Sequence, residues 1–423
     1  MRDPSAVLPT PPFVTERLLA PEQAIVVYFG RAVLAPPGLE HVSLDDAGGR
    51  VLAEDARARE EHPTHRRSTM DGFAVCSSGE GMRRRIVGRI LMGAAPPRAI
   101  APDEALHIPT GGALPEGADA VVPIEGVDEE AETIVLHAPV RAGDCFVPPG
   151  EDVAAGEIVL RAGRRLGGPE LGVLATLGIA RVPVYRRPVF GVISTGDELV
   201  DAAQPLAIGH VRDSNRYAIG ASLEALGAIA LQLPRVVDDP NALRKALAAA
   251  LERCDGIVLT GGSSVGERDH TPQIVAELGA PGPIVHGLRV KPGKPTLLAA
   301  VGSKPIIGLP GNPASCLMIL EAIVRPIVAA CTGLHAWRPV ALEAVAAAPF
   351  VGREGWTWYV PARLRGEAGK LFAEPAPIRS SHTSLLARAG GYASIGEWPA
   401  RIEAGATVLI SLFASGGAPV EAA

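Results

Sequence analysis

Between residues 186 and 333 short apolar runs alternate with stretches of helical periodicity, and this alternation limits the fold more than any other feature. Val189-Phe190-Gly191-Val192-Ile193 reads as a short buried strand. After Asp213-Ser214-Asn215 a helix places Ile219, Leu223 and Leu226 on one face and stops at Gly227. Asp239-Pro240 is a good N-cap and first-turn pair for a helix carrying Leu243, Leu247 and Leu251. The run GIVLT (256–260) reads as the next strand, and Thr271-Pro272 opens another helix. Lys304-Pro305-Ile306-Ile307-Gly308 is a further strand, and Asn312-Pro313 starts a long apolar helix over 313–331. Strands alternating with helices imply an α/β unit with a parallel, doubly wound sheet.

The flanking segments differ. Residues 46–151 alternate short apolar runs, such as Ala74-Val75 and Ala120-Val121-Val122, with Gly, Pro and acidic turns, which predicts a small β-rich domain. Residues 152–185 read as strand, helix from Gly168-Pro169, and strand. They are expected to pack with an early helix, PEQAIVVYFGRAV, as one discontinuous domain made of 16–45 and 152–185. Residues 334–423 lack helical periodicity and end near ATVLISLF, so a C-terminal β domain is expected. The whole is read as a multidomain α/β chain of 423 residues.

Composition narrows the function. A net charge of −6 argues against broad nucleic-acid binding, which needs a basic face. Five widely spaced cysteines without CxxC make a disulfide framework or structural zinc unlike this chain, and a reducing cytoplasm is the simpler expectation. No run nears 18 apolar residues without a charge, Gly or Pro, so no membrane span is expected. The N-terminus lacks the apolar core of a secretory signal.

In a doubly wound sheet, ligands bind beyond the carboxyl ends of the strands. Four loops lie there: Ser194-Thr195-Gly196-Asp197-Glu198, Val237-Asp238-Asp239, TGGSSVGERDH (260–270) and Leu309-Pro310-Gly311-Asn312-Pro313. Amides near Ser263-Ser264 and Gly311-Asn312 favour an anion. Asp197, Glu198, Asp238 and Asp269 suit Mg2+, a hard cation that often bridges to phosphate. Lys291 and Lys294, in the stiff turn KPGKP, can neutralise phosphate or an oxyanion. Singly, each feature has a plainer explanation: a Gly-rich loop is usually a turn, Asp239 a helix cap, a lone lysine or His270 a solvated side chain. KPGKP is not a P-loop, because Pro295 follows Lys294, and no G-x-S-x-G supports a serine nucleophile. Four such loops on one edge are what turn the balance toward a site.

Together these motifs resemble the molybdopterin molybdenumtransferases, which also form one part of gephyrin. The stretches are SxMDGxAV (68–75), PTGGALPEGADAVVPIE (109–125), GEDV (150–153), STGDEL (194–199), TGGSSVGERD (260–269), KPGKP (291–295) and GLPGNPAS (308–315). The resemblance implies a four-domain subunit in an elongated homodimer, with each site shared between subunits. It implies insertion of molybdenum from molybdate into adenylylated molybdopterin with release of AMP. It also makes an adenylyltransferase and molybdoenzyme-maturation factors conceivable partners. Carried over residue by residue, it implies Asp71, Thr110, Glu198, Asp238 and Asp269 as the polar catalytic set, Asp71 coming from the partner subunit. Glu198 and Asp269 would hold Mg2+ or orient molybdate. Lys291, Lys294 and Ser315 would meet the anionic ligand, Gly262, Ser264, Pro310 and Gly311 would shape its cradle, and Asp213 would help recognise the nucleotide or pterin. The chain departs from the family pattern at Val147, where Arg is frequent, at Arg67, where Asn is usual, at Phe73 and at Ser263. The Val147 departure removes a positive charge unless Arg141 or a partner-chain Arg replaces it. Two other readings are weighed. One is an α/β domain that adenylylates molybdopterin or hydrolyses a nucleotide diphosphate, against which the MDG segment and extra β domains speak. The other is a non-catalytic molybdopterin-binding scaffold, against which Asp71, Glu198 and Asp269 together speak.

Overall fold

The computed structural model describes residues 18–261, 270–335, 337–376, 384–413 and 420–422. Its centre is a six-stranded sheet of β1 (Val189–Ser194), β2 (Ile229–Gln232), β3 (Gly256–Thr260), β4 (Pro281–His286), β5 (Leu297–Val301) and β6 (Lys304–Leu309). The strand order is β2-β1-β3-β6-β5-β4. β2, β1, β3 and β6 are parallel, but β5 runs antiparallel to both its neighbours. The sheet is therefore mixed, which corrects the all-parallel expectation. The cause is local: Gly302 and Ser303 alone join β5 to β6, and so short a link permits only an antiparallel return.

Helices cover both faces. α1 (Asn215–Ala225) and α4 (Pro313–Cys331) pack on one side, where Val258 of β3 meets Ile219, Leu223 and Ile323. α2 (Pro240–Arg253) and α3 (Thr271–Leu278) pack on the other, where Ile257 and Leu259 meet Leu243, Leu247 and Ile274. The period of two along β3 thus feeds two cores. Each fully buried Leu or Ile contributes roughly 1.5–3 kcal/mol. The Asp239 carboxylate caps α2 by accepting from Ala242 N at 2.7 Å, as its position before Pro240 predicts. α4 is long and apolar enough to cross a membrane, with mean hydropathy 1.8, but 72% of that apolar window is buried in the fold. Glu321 and Arg325 interrupt it and pair with each other at 2.5 Å.

The early helix Pro21–Arg31 was expected beside the 152–185 segment. It packs instead on the α/β core: Ala24 and Tyr28 join the cluster of Phe190 and Leu298, and Tyr28 donates to Ala299 O at 3.2 Å. The 152–185 segment takes its partners from residues 39–57: Leu39–Ser43 pairs with Arg181–Tyr185, and Ala56–Arg57 with Ile158–Leu160. The chain between them forms a second six-stranded sheet, in which Gly72–Val75 lies between Glu104–Ile108 and Ala120–Pro123. A seven-stranded sheet from 341 onward incorporates Val290–Lys291, which pairs in parallel with the start of Thr357–Glu367. The KPGKP turn is thereby joined to the C-terminal β unit.

Candidate functional site

The parallel strands β2, β1, β3 and β6 deliver the four loops to neighbouring points on one edge. Thr195 N donates to Thr260 O at 2.9 Å, and Val236 N to Ser194 O at 2.9 Å, so three strand ends are held in register. Thr260 and Asn215 form the knot beneath them. Asn215 Nδ2 donates to Thr260 Oγ1 at 2.9 Å and to Gly311 O at 2.8 Å, while Thr260 Oγ1 donates to Pro310 O at 3.3 Å. Gly261 follows with φ +88°, and a Cβ there would lie 2.1 Å from Thr195 O, so no other residue fits this approach. Gly262, Ser264 and Asp269, predicted as cradle and metal residues, lie outside the described residues.

Of the predicted edge residues, Glu198 and Asp238 are exposed at the rim. The Glu198 carboxylate folds back over Gly196, and Asp238 N donates to Asp197 Oδ1 at 3.3 Å. Asp213 is almost fully buried; its Oδ1 accepts from Arg216 N at 3.3 Å, and among the described residues its Oδ2 has no partner. Asn215 Oδ1 is likewise buried without a partner. Two orphaned acceptors at one strand edge are costly unless a ligand donor meets them. Cys316, next to Ser315, is no nucleophile: burial pushes its thiol up to about 12.

Lys291, Lys294 and Ser315 come together in a cleft of about 980 Å³. Among its described lining residues are three cations, counting Arg353, and no carboxylate. The Lys291 ammonium lies 4.7 Å from the centroid of the Trp358 ring, within cation–π range. The turn is locked from behind. Leu288 N donates to Lys294 O at 2.9 Å, Thr296 Oγ1 donates to Gly293 O at 2.7 Å, and Gly293, at φ +113°, leaves no room for a Cβ against Ile319. Ser315 lies one turn beyond Gly311, so the Leu309-to-Ser315 segment links this cleft to the strand edge. Sequence reasoning missed Thr260 and Asn215 as a bonded pair, and Arg353, Trp356 and Trp358 as cleft walls. Two of only four tryptophans in an aromatic-poor chain, two positions apart, were the available signal.

Asp71 and Thr110 meet elsewhere, in the second six-stranded sheet. Thr110 N donates to Asp71 Oδ1 at 2.7 Å beside a hollow of about 230 Å³ lined by Phe73, Arg89 and His107. Ser68 Oγ closes the MDG turn by donating to Met70 O at 2.6 Å. Asp71 and Thr110 do not line the lysine cleft of their own chain.

Residues 191–330 match a family described as a probable molybdopterin binding domain, which sets the class of the α/β unit. Residues 19–178 match the MoeA N-terminal region (domain I and II), and residues 343–413 the MoeA C-terminal region (domain IV). The chain is 34% identical over 386 residues to the molybdopterin molybdenumtransferase of Bacillus subtilis, covering 88% of this chain and 90% of that protein. It is 31% identical to the molybdopterin molybdenumtransferase of Haemophilus influenzae, covering 89% and 95%. A solved molybdopterin biosynthesis MoeA protein from Pyrococcus horikosii matches with a TM-score of 0.77 at 29% identity, over 95% of this chain and all of that one. The chain belongs to the molybdopterin molybdenumtransferase (MoeA) family.

Proposed function

We propose that this chain inserts molybdenum from molybdate into adenylylated molybdopterin and releases AMP. The observation that carries the reading is the cleft walled by Lys291, Lys294 and Arg353, with no acid among its described lining residues, and with Ser315 in its wall four residues beyond Gly311 of the strand edge. An oxyanion is stabilised in the first, and a nucleotide diphosphate link fits the second. Asp213 and Asn215 offer unpartnered acceptors to the N–H groups of the pterin or base.

Mg2+ is part of the proposal. Among the described residues no three His, Cys, Asp or Glu side chains are grouped to cage a metal. Mg2+ is commonly held by one or two carboxylates, with substrate phosphate and water completing its shell. Glu198 at the exposed rim would hold it, with Asp269 from the neighbouring loop. When bound, the ion neutralises charge building on the cleaved phosphate link. Asp238 stands at the same rim to orient a water or the ligand.

The reading includes a cytoplasmic homodimer. Asp71 and Thr110 lie away from the lysine cleft of their own chain, so they would complete the partner's site. The bond from Thr110 N fixes the Asp71 carboxylate, leaving its second oxygen for substrate.

The test is AMP release from adenylylated molybdopterin by the purified chain with Mg2+, with and without molybdate. Molybdate-dependent AMP release with active cofactor formed is the expected result. AMP transfer from ATP without molybdate would replace this reading with an adenylyltransferase.

A further inference from the structure

We propose that Arg67 is the oxyanion-binding residue of the Asp71 corner, meeting a phosphoryl group of the substrate or molybdate itself. The inference rests on the transferase reading above, since that reading brings an anionic substrate to Asp71.

Arg67 opens the two-residue strand Arg67–Ser68 that leads directly into the MDG turn, and Asp71 lies four residues on. Its chain is held on both sides. Val147 is its antiparallel register partner on one side, and Ala113 forms a bridge to it on the other. The flanking amides are used: Ser68 N donates to Gly112 O at 2.9 Å, and Thr69 N to Cys145 O at 3.0 Å. The backbone under Arg67 is therefore fixed.

Its side chain has no such satisfaction. Arg67 is half-buried, its Nε is buried, and that nitrogen has no hydrogen-bond partner. Nor is the guanidinium in an ion pair among the described residues. The adjacent Arg66 is spent on structure: its Nη1 donates to Ala118 O at 2.7 Å, and its guanidinium lies 5.9 Å from the centroid of the Phe146 ring. Asp71 does not neutralise Arg67 either: no ion pair joins them, and Asp71 Oδ1 takes Thr110 N. A buried donor left unmade is costly, and an acceptor from outside the chain would recover that cost. A guanidinium fork is the side chain best suited to a tetrahedral oxyanion.

Register adds a further point. Directly opposed residues of an antiparallel pair project to the same face, with Cβ atoms about 4.5–5.5 Å apart. A cation at position 67 and one at position 147 would thus serve nearly the same point in space. Val147 carries no charge there, and Arg67 supplies one.

The experiment uses the full chain and measures binding of adenylylated molybdopterin and of molybdate by calorimetry. Arg67→Asn is expected to raise the dissociation constant of one or both about tenfold. Val147→Arg alone is expected to change binding less than about twofold, because the point is already charged. Arg67→Asn with Val147→Arg is expected to recover most of the loss, and a melting curve of Arg67→Asn matching the parent shows that the single variant folds. Loss confined to molybdate assigns the guanidinium to molybdate, and loss confined to the pterin nucleotide assigns it to a phosphoryl group. Unchanged binding of both ligands by Arg67→Asn, or a double variant no better than the single one, overturns the proposal and leaves the transferase reading standing. A parent chain that binds neither ligand overturns the transferase reading instead.

Discussion

Glu198 is exposed, and its carboxylate lies over Gly196, where a Cβ would meet it. Removing its charge leaves no buried group unsatisfied. Glu198→Gln is therefore expected to lower turnover at least a hundredfold, an effect of roughly 2.7 kcal/mol or more on the barrier. Its thermal midpoint should stay within a few degrees of the parent; AMP-release rates and a melting curve on the same preparation check both halves. The buried thiols make a different prediction. Burial pushes Cys316 and Cys331 up to about 12. Below the unfolded thiol value of roughly 8.5 both states keep these protons, and stability is unaffected. Above it the unfolded chain releases protons that the folded chain holds, so stability falls from about pH 8.5 towards pH 12. The urea midpoint should drop between pH 8 and pH 10.5, and drop less in Cys316→Ala. At this scale the sequence disclosed residues that sit in motifs, such as Lys291, Lys294 and Ser315. It hid those whose meaning is a partner: Asn215 matters through Thr260, 45 residues away, and Trp358 through Lys291.

The elements were legible where one local rule decided them. Asp239-Pro240 gave a cap that the structure makes, and Gly227, at φ +93°, follows the end of α1 where a helix stop was expected. Strand direction was not legible, because β5 and β6 are distinguished from a crossover pair only by the two residues between them. The KPGKP turn is the element on which the site depends most. Gly293 holds a backbone conformation that a side chain opposes, and a Cβ there would lie 2.2 Å from Ile319 Cδ1. Gly293→Ala is expected to cost about 1–3 kcal/mol, combining backbone strain with overpacking. Because the displaced turn carries both lysines, molybdate binding should weaken with it. Denaturant midpoints and a molybdate titration measure the two effects. A stable variant with parental affinity would show that the turn relaxes without moving its cations.

At the scale of the molecule, the separation of the Asp71 corner from the lysine cleft is the main argument for a shared site. The two arise in different sheets, and no described residue lines both hollows. Sequence alone could supply both halves as motifs but not their distance, since that depends on how the 39–57 and 158–185 segments pair around the intervening sheet. If a dimer completes each site, the halves can be inactivated separately and recombined. Asp71→Ala and Glu198→Gln chains should each be inactive alone. After mixed refolding, a heterodimer carries one site with both defects and one with neither. Random pairing makes about half the dimers mixed, so about a quarter of parental activity should return. Co-expressed chains with two affinity tags, purified as the mixed dimer, should reach about half. The same chains mixed without exchange should stay inactive. No recovery from the purified mixed dimer would place Asp71 and Glu198 in one chain's site. The link between the Asp71 corner and the lysine cleft would then have to come from movement of the two sheets within a subunit.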